Sequence, residues 1–412
     1  MTATVRRLAR GSWLAIAVVV TVTAVVGAVR LVAPATAASG EPPGVRRQLT
    51  YLRQALDAGA GTDAQALFPE GYFFLHELYG LSWVELGLRS HAPNRALAEA
   101  RWALGRLDTP EGRAPFSAGL SPSYGVFYRG WTNWLRGGVL SLQPAGERDP
   151  DESKRFDEDS AALAAAFDAA DTPFLPAYPG QAWPVDSTVA IASLALHDRL
   201  RPPRFGPTVA RWLDAARQRL DPATGLLPHT VDVDTGAPRE TARGSSQSVI
   251  QRFLVDIDPA FAAEQYPRFR ERFVTSPLGL GPAVREYPVG LDGPGDVDSG
   301  PLLLGITLSA TVVTMGAAQV NGDTALAAGL ANYGEFAGLP IDTPWSKRYA
   351  FGVLPVGDAF LAWSKTARPW VNPTPTGTPP GVSWWWRAPL LALLTVVAVG
   401  PWLPVLIGRR RG

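Results

Sequence analysis

The chain has 412 residues, a formal charge of +1 and no cysteine. Disulfides, thiolate zinc sites, iron–sulfur clusters and a thiol nucleophile are thereby excluded, and a near-even charge without a basic stripe excludes nucleic acid as a partner. The four histidines, His76, His91, His197 and His229, show no metal-ligand spacing, so neither a metal nor another cofactor is expected.

The first segment, residues 1–36, holds an uncharged, nearly all-apolar run from Trp13 to Val29, preceded by Arg6, Arg7 and Arg10. The run exceeds the apolar stretch of about 7–15 residues in a signal peptide, which favours a transmembrane anchor. Ala35-Thr36-Ala37 has the small-residue pattern of a cleavage site and keeps the signal peptide open.

Residues 40–368 repeat. Loops rich in Gly, Pro and aromatics run into apolar helical segments at Phe68, Ser121, Tyr178, Ala242, Gly293 and Lys347. Amphipathic segments alternate with them, starting near Val45, Asn94, Glu152, Pro207, Pro259 and Asp323. In the first, Leu49, Leu52 and Leu56 mark one face; in the second, Leu97, Ala100, Leu104 and Leu107 do. An amphipathic helix covers a surface and an all-apolar helix is buried, so six such pairs predict an all-α ring with six helices inside and six outside. A parallel α/β barrel would need Val/Ile-rich strands between the helices, and the sequence has none.

In such a ring the inner helices start at one mouth and present free N–H groups there. The loops that open them carry the polar candidates. Phe68-Pro69-Glu70-Gly71-Tyr72 opens the first inner helix; Tyr124 and Tyr128 flank the start of the second. Tyr178-Pro179-Gly180-Gln181-Ala182-Trp183-Pro184-Val185-Asp186 opens the third. His229, Glu240 and Arg243 precede the fourth, Asp296-Val297-Asp298-Ser299 is expected to open the fifth, and Tyr349 precedes the sixth. Glu286 and the tryptophans Trp131 and Trp134 belong to the same mouth in this reading. Asp186, Asp298 and Glu70 are the candidate acid/base residues. The alternative for each is a helix cap, and for Arg243 a salt bridge to Glu240. Tyr72, Tyr124, Tyr128, Tyr178, Gln181, Trp183, His229, Glu240, Arg243, Asp296 and Tyr349 are the candidate substrate-binding residues. Aromatics beside carboxylates suit a sugar, and equally an apolar ligand. Asp232-Val233-Asp234-Thr235-Gly236 reads as a turn, lacking the spacing of a calcium loop. There is no nucleophile elbow, phosphate loop or dinucleotide fingerprint.

Residues 369–383 are proline-rich, with prolines at 369, 373, 375, 379 and 380, and read as a semi-rigid spacer holding the domain off the membrane. Residues 384–412 follow: Trp384, Trp385 and Trp386 as an interfacial belt, an uncharged run from Ala388 to Ile407, and Arg409, Arg410 and Arg411. This is a transmembrane helix by length. Arginines at both ends place both termini in the cytoplasm and the middle outside the cell membrane.

Asp221-Pro222-Ala223-Thr224-Gly225-Leu226 resembles the DxxTGL turn of the (α/α)6 toroid enzymes. With the repeat count and the carboxylates at helix starts, residues 45–366 resemble toroid glycoside hydrolases and polysaccharide lyases. That resemblance implies an acid/base hydrolase or lyase on an envelope glycan or glycolipid. A second, shorter resemblance links Ala177-Tyr178-Pro179-Gly180 through Trp183 to Asp186 with a loop of the linalool dehydratase/isomerase-like domain, implying a lyase or isomerase on a terpenoid or lipid-like small molecule. That family's loop carries a cysteine that is absent here, so only carboxylate and tyrosine chemistry would carry over. A non-catalytic binding or envelope-assembly module is the remaining class.

Overall fold

The computed structural model describes residues 3–37, 40–375 and 379–404, and the side chains from residue 10 onward. The side chains of Arg6 and Arg7, the residues from 405 to Ile407, and Arg409, Arg410 and Arg411 lie outside that description; the topology expected from them rests on sequence alone.

Helix α1 (Ala3–Val32) is followed by α2 (Val45–Asp57), α3 (Ala60–Leu67) and α4 (Gly71–Gly87). Next come α5 (Asn94–Leu107), the single turn α6 (Pro110–Arg113), α7 (Gly125–Ser141), α8 (Pro150–Ala169), α9 (Pro184–Leu200) and α10 (Gly206–Arg217). Then follow α11 (Gly244–Ile257), α12 (Pro259–Phe273), α13 (Leu308–Val320), α14 (Thr324–Ala337), α15 (Pro355–Thr366) and α16 (Arg387–Val399). Two short antiparallel ribbons decorate this plan. One pairs β1 (Val274–Thr275) with β2 (Ala283–Val284); the other pairs β3 (Ile341–Asp342) with β4 (Lys347–Arg348).

Among the described residues, α4, α7, α9, α11, α13 and α15 each pack on the next, and α15 packs back on α4. The ring is therefore closed. Outside it α5 lies on α4 and α7, α8 on α7 and α9, α10 on α8 and α9, α12 on α11, α14 on α13, and α2 on α15 and α4. This is an all-α (α/α)6 toroid, as the alternation of apolar and amphipathic segments predicts. The chemistry of each layer explains its place. Nearly every residue of α4 is buried, whereas α5 buries one stripe through Ala96, Ala100, Ala103, Leu104 and Leu107. The first and last repeats are joined by Gln48 of α2, whose Nε2 donates to the backbone oxygen of Asp358 in α15 at 2.9 Å and to its carboxylate at 3.1 Å.

Side chains fill the ring. Trp131 meets Phe253 and Trp363 edge-on, with ring centroids 5.4 and 5.7 Å apart. Trp131 and Trp134, expected at the mouth, instead occupy the interior, because α7 turns both inward about two and two and a half turns below its start. At the opposite end Arg252 donates to Glu85 at 2.5 Å and lies 3.6 Å over the Trp363 ring. The Thr366 hydroxyl donates to the same carboxylate at 2.5 Å.

The described parts of the proline-rich stretch, 369–375 and 379–383, touch the ring. Trp370 stacks on Trp134, with centroids 4.4 Å apart and planes 15° off parallel. The buried Asp256 carboxylate accepts the N–H groups of Trp370 and Val371 at 2.8 and 2.7 Å. Further on, Pro380 accepts from Arg270, and Val382 comes within 3.8 Å of the position a Cβ on Gly329 would take. Proline rigidity is thus used to lay the strand along the ring. Trp370 finds apolar surface at its base, and carbonyls that no helix uses find side-chain donors.

Two helical stretches, Arg10–Val32 and Trp384–Trp402, are long and apolar enough to cross a membrane. They pack on each other, with Trp402 Nε1 donating to the Thr21 hydroxyl at 2.8 Å and that hydroxyl donating to the Ala398 oxygen at 2.9 Å. The pair docks directly on α14. Arg387 donates to Leu31 O and to the Asn332 side chain, while Asn332 donates to Ala33 O at 2.6 Å.

Candidate active site

The third inner helix shows how local sequence sets up the mouth. Tyr178 and Gln181 bridge through their backbones across a tight turn, which Gly180 closes at φ 72°, a region natural to glycine. Ala182 then pairs with Val231, and Pro184 occupies the first turn of α9, where its missing N–H costs nothing. Asp186 follows in the same turn. It does not cap the helix: the cap position is Trp183, and no hydrogen bond to the Asp186 carboxyl is found among the described residues. Asp186 is 5% exposed.

Glu70 stands at the cap position of α4, also without capping it. It is half-buried, and its carboxylate accepts the Tyr178 hydroxyl. Trp183 meets the Tyr178 ring edge-on, 5.9 Å away.

Asp298 arrives by another route. The segment from Asp296 to Pro301 does not open the fifth inner helix; α13 begins later, at Leu308, capped by the Thr307 hydroxyl. Gly300, at φ 65°, and Pro301 break the helical pattern. The segment is instead a turn in which Asp296 accepts the N–H groups of Asp298 and Ser299, both at 3.0 Å. Ser309 of α13 fastens it by donating to Asp298 O at 2.8 Å.

Arg243 holds this turn to the fourth inner helix. Its partners are Glu286 at 2.8 Å and Asp296 at 2.6 Å, not Glu240 as the sequence suggested. Glu286, fully buried, also accepts the Ser245 hydroxyl at 2.7 Å and its N–H at 3.1 Å. His229 is buried beside them, its Nδ1 2.5 Å from the Ser246 hydroxyl. Its Nε2 lies 3.8 Å from Glu240, which is exposed and accepts from Thr230 at 3.0 Å. Asp221 of the DxxTGL turn braces the loop by accepting the Thr224 and Thr241 hydroxyls, each at 2.6 Å.

The carboxyls feel one another. Burial, then the charges of Asp298 and Glu70, push the Asp186 pKa well above the usual carboxylate range. The helix N-terminus pulls the other way, but is worth only about 0.3–1 kcal/mol. Burial shifts reach about 3–5 units at about 1.36 kcal/mol each, so the protonated form wins. Burial, with Asp296 and Glu70, raises Asp298 to about 6 against the pull of Arg243. Asp298 is exposed as a residue, so water tempers that push and Asp186 is the more strongly held acid. Burial raises the Tyr178 phenol, reinforced by Glu70, Asp186 and Asp298. Burial and the Arg243 charge lower His229 to about 4, leaving it neutral near pH 7. Asp296 is held below its usual range: burial opposes this, but the Ser299 N–H and Arg243 overcome it.

Other expected mouth residues lie elsewhere. Tyr72 is buried against His76, centroids 4.2 Å apart, and faces α3. Tyr128 points outward, its hydroxyl accepting from Arg113 and donating to Leu107 O, both at 3.1 Å. Tyr124 rests between Arg113 and Arg129. Gln181 is exposed at the tip of its turn. Tyr349 is 6% exposed and donates to Glu335 at 2.5 Å between α14 and α15. These tyrosines sit on helix faces or loop positions that turn toward the outer layer, which the spacing of the repeats does not reveal. Glu286, by contrast, was legible as one more acid of the mouth but not as the buried partner of Arg243. Its long-range signal is only the pairing of a lone arginine with a lone glutamate.

The structure resembles the GH76 alpha-mannanase of Bacteroides thetaiotaomicron, at 11% identity and a TM-score of 0.45, over 71% of this chain and 84% of that one. The likeness to this toroid glycoside hydrolase is one of chain path. No family profile matches the sequence, and no curated protein does.

Proposed function

We propose that this protein is a membrane-anchored acid/base enzyme, a hydrolase or lyase of envelope glycan or glycolipid, with its ring on the extracytoplasmic side. The observation that carries the reading is the setting of Asp186: a buried carboxyl that accepts no hydrogen bond among the described residues, its pKa raised by burial and then by the charges of Asp298 and Glu70. A cap would be ionised and bonded to backbone N–H groups; a proton donor needs to be neutral and uncommitted. Asp186 would donate to a leaving oxygen. Glu70, oriented by Tyr178, or Asp298 would take the proton from water or from the sugar. Arg243 and Asp296 position Asp298, and Trp183 with Tyr178 offers an apolar wall beside the acids.

The test separates catalysis from capping. Asp186→Asn and Asp298→Asn are made in the full chain and assayed for reducing ends released from envelope glycolipid extracts and a panel of aryl glycosides, alongside melting temperature. Loss of an acid or base costs about 10²–10⁴-fold in rate with the fold intact. Variants that melt early but turn over as the parent does would refute the assignment.

A further inference from the structure

Helix α14 runs beside α1 in the opposite direction. Asn332 bonds to Ala33 O at 2.6 Å and Arg30 O at 3.2 Å. One turn on, Phe336 and Leu394 of α16 both lie within 3.4 Å of the position a Cβ on Gly27 would take. Following α1 into its apolar run therefore means following α14 toward its C-terminus. An outer helix ends where the next inner helix begins, so the C-terminus of α14 is on the mouth side. Trp386 meets Tyr333 at 6.1 Å, and its exposed neighbours Trp384 and Trp385 mark the level of the aromatic belt. Phe336 is about 4.5 Å further along the helix, on the hydrocarbon side of that level, at a rise of about 1.5 Å per residue, and Leu339 follows just past the helix end.

The rim continues in kind. Leu339 is 54% exposed, Trp345 at the tip of the β3–β4 ribbon 78%, Phe351 63% and Val353 80%. Leu354 and Leu67 line a shallow groove with Val353 where α15 meets α3. Exposed apolar side chains of this size, gathered in the loops of one rim, suit a contact surface. On the opposite face a hollow mixes charged and polar side chains, Arg101, Gln143, Arg148 and Asp149, with Leu97 and Leu142.

We infer that the apolar sector of the mouth, from Leu339 through Trp345 to Val353 and Leu354, docks on the lipid bilayer that α1 and α16 cross, so that the ring opens toward the membrane surface. The inference needs α1 and α16 as membrane spans; the further step, that substrate reaches Asp186 as the head of a membrane-anchored glycolipid, rests on the acid/base reading above. The occupant is lipid rather than a soluble protein because α14, which ends at this rim, lies along α1 and points the same way as its apolar run.

The cysteine-free chain permits single reporters. Val353→Cys, Leu354→Cys, Trp345→Cys and, on the opposite face, Ala145→Cys are spin-labelled in the full chain in nanodiscs of phosphatidylcholine and phosphatidylglycerol. Collisional access to oxygen and to a nickel chelate is then measured. Labels at 345, 353 and 354 should show a several-fold higher oxygen-to-nickel ratio than the label at 145. Equal ratios at all four positions would overturn the docking. Spin–spin broadening between copies at 353 would give the rim to a second copy of the chain and overturn it equally. Neither outcome depends on turnover, so docking and catalysis fail separately.

Discussion

Tyr178, in the loop that opens the third inner helix, donates its hydroxyl to the carboxylate of Glu70, at the start of the first, across 108 positions of sequence. The two sides of the mouth meet through this bond, and it leaves Glu70 oriented while the Asp186 carboxyl accepts no hydrogen bond among the described residues. Tyr178→Phe removes the donor and little else. A hydrogen bond to a charged group contributes about 1.5–3 kcal/mol to stability, so the variant should melt somewhat earlier, and with Glu70 no longer held turnover should fall roughly 10-fold or more, mainly in kcat. Steady-state kinetics on whichever glycoside the parent cleaves, with a melting curve, checks this. An unaltered kcat would remove Glu70 from the reaction.

The pH profile should be bell-shaped. Asp298, raised to about 6, must be ionised if it serves as base, so activity falls below that value. Asp186, held well above the carboxylate range, must be protonated as acid, so activity falls again as pH rises through its titration. In Asp298→Asn the acidic limb should move away from about 6 or vanish with the activity. A profile that is flat from pH 5 to 8 would contradict the pairing.

How much of this was legible in the sequence is uneven. Asp186 and Glu70 could be placed at one mouth because each directly precedes or enters an apolar run, and helix starts in a closed ring share a face. Asp298 was placed there for the wrong reason. Its helix was expected to start at 296, but Gly300 and Pro301 delay it to Leu308, and the ion pair of Arg243 with Asp296 brings the turn to the mouth instead. The sequence does not say which layer Tyr128 and Tyr349 face, because a tyrosine near a helix start can face either; here their hydroxyls bond Leu107 O and Glu335. Proline density in 369–383 reports stiffness and not that Trp370 stacks on Trp134.

Glu77 of α4 is fully buried with neither carboxyl oxygen hydrogen-bonded. Burial raises its pKa well above the usual value, against the pull of Arg136. The sign follows: the folded state binds a proton that the unfolded state releases above about 4.5, so this group's contribution is fully present below that pH and is lost as pH rises toward its folded value. Glu77→Met, similar in size and uncharged, should melt higher than the parent, with the advantage growing from pH 5 to pH 8. Thermal unfolding at the two pH values decides it; a variant less stable at both would show that the carboxyl is satisfied by water.

At the base of the ring, Arg252→Met should cost about 3–5 kcal/mol by leaving the Glu85 charge buried and unpaired. Glu85→Gln in the same chain should restore part of it. Chemical denaturation of the parent, single and double variants measures the coupling, and additive losses would show that the pair does not act as a unit.

The Gln48 to Asp358 contact, which ties the first outer helix to the last inner one across 310 positions, has a consequence for biogenesis. Until α15 has been synthesised, the flanks of α4 and α13 that it covers face water, and no earlier segment can substitute. The nascent protein is therefore an open crescent for most of its synthesis, exposing two apolar seams to proteases and holdases. It becomes protected in one late step, just before the second apolar helix is made.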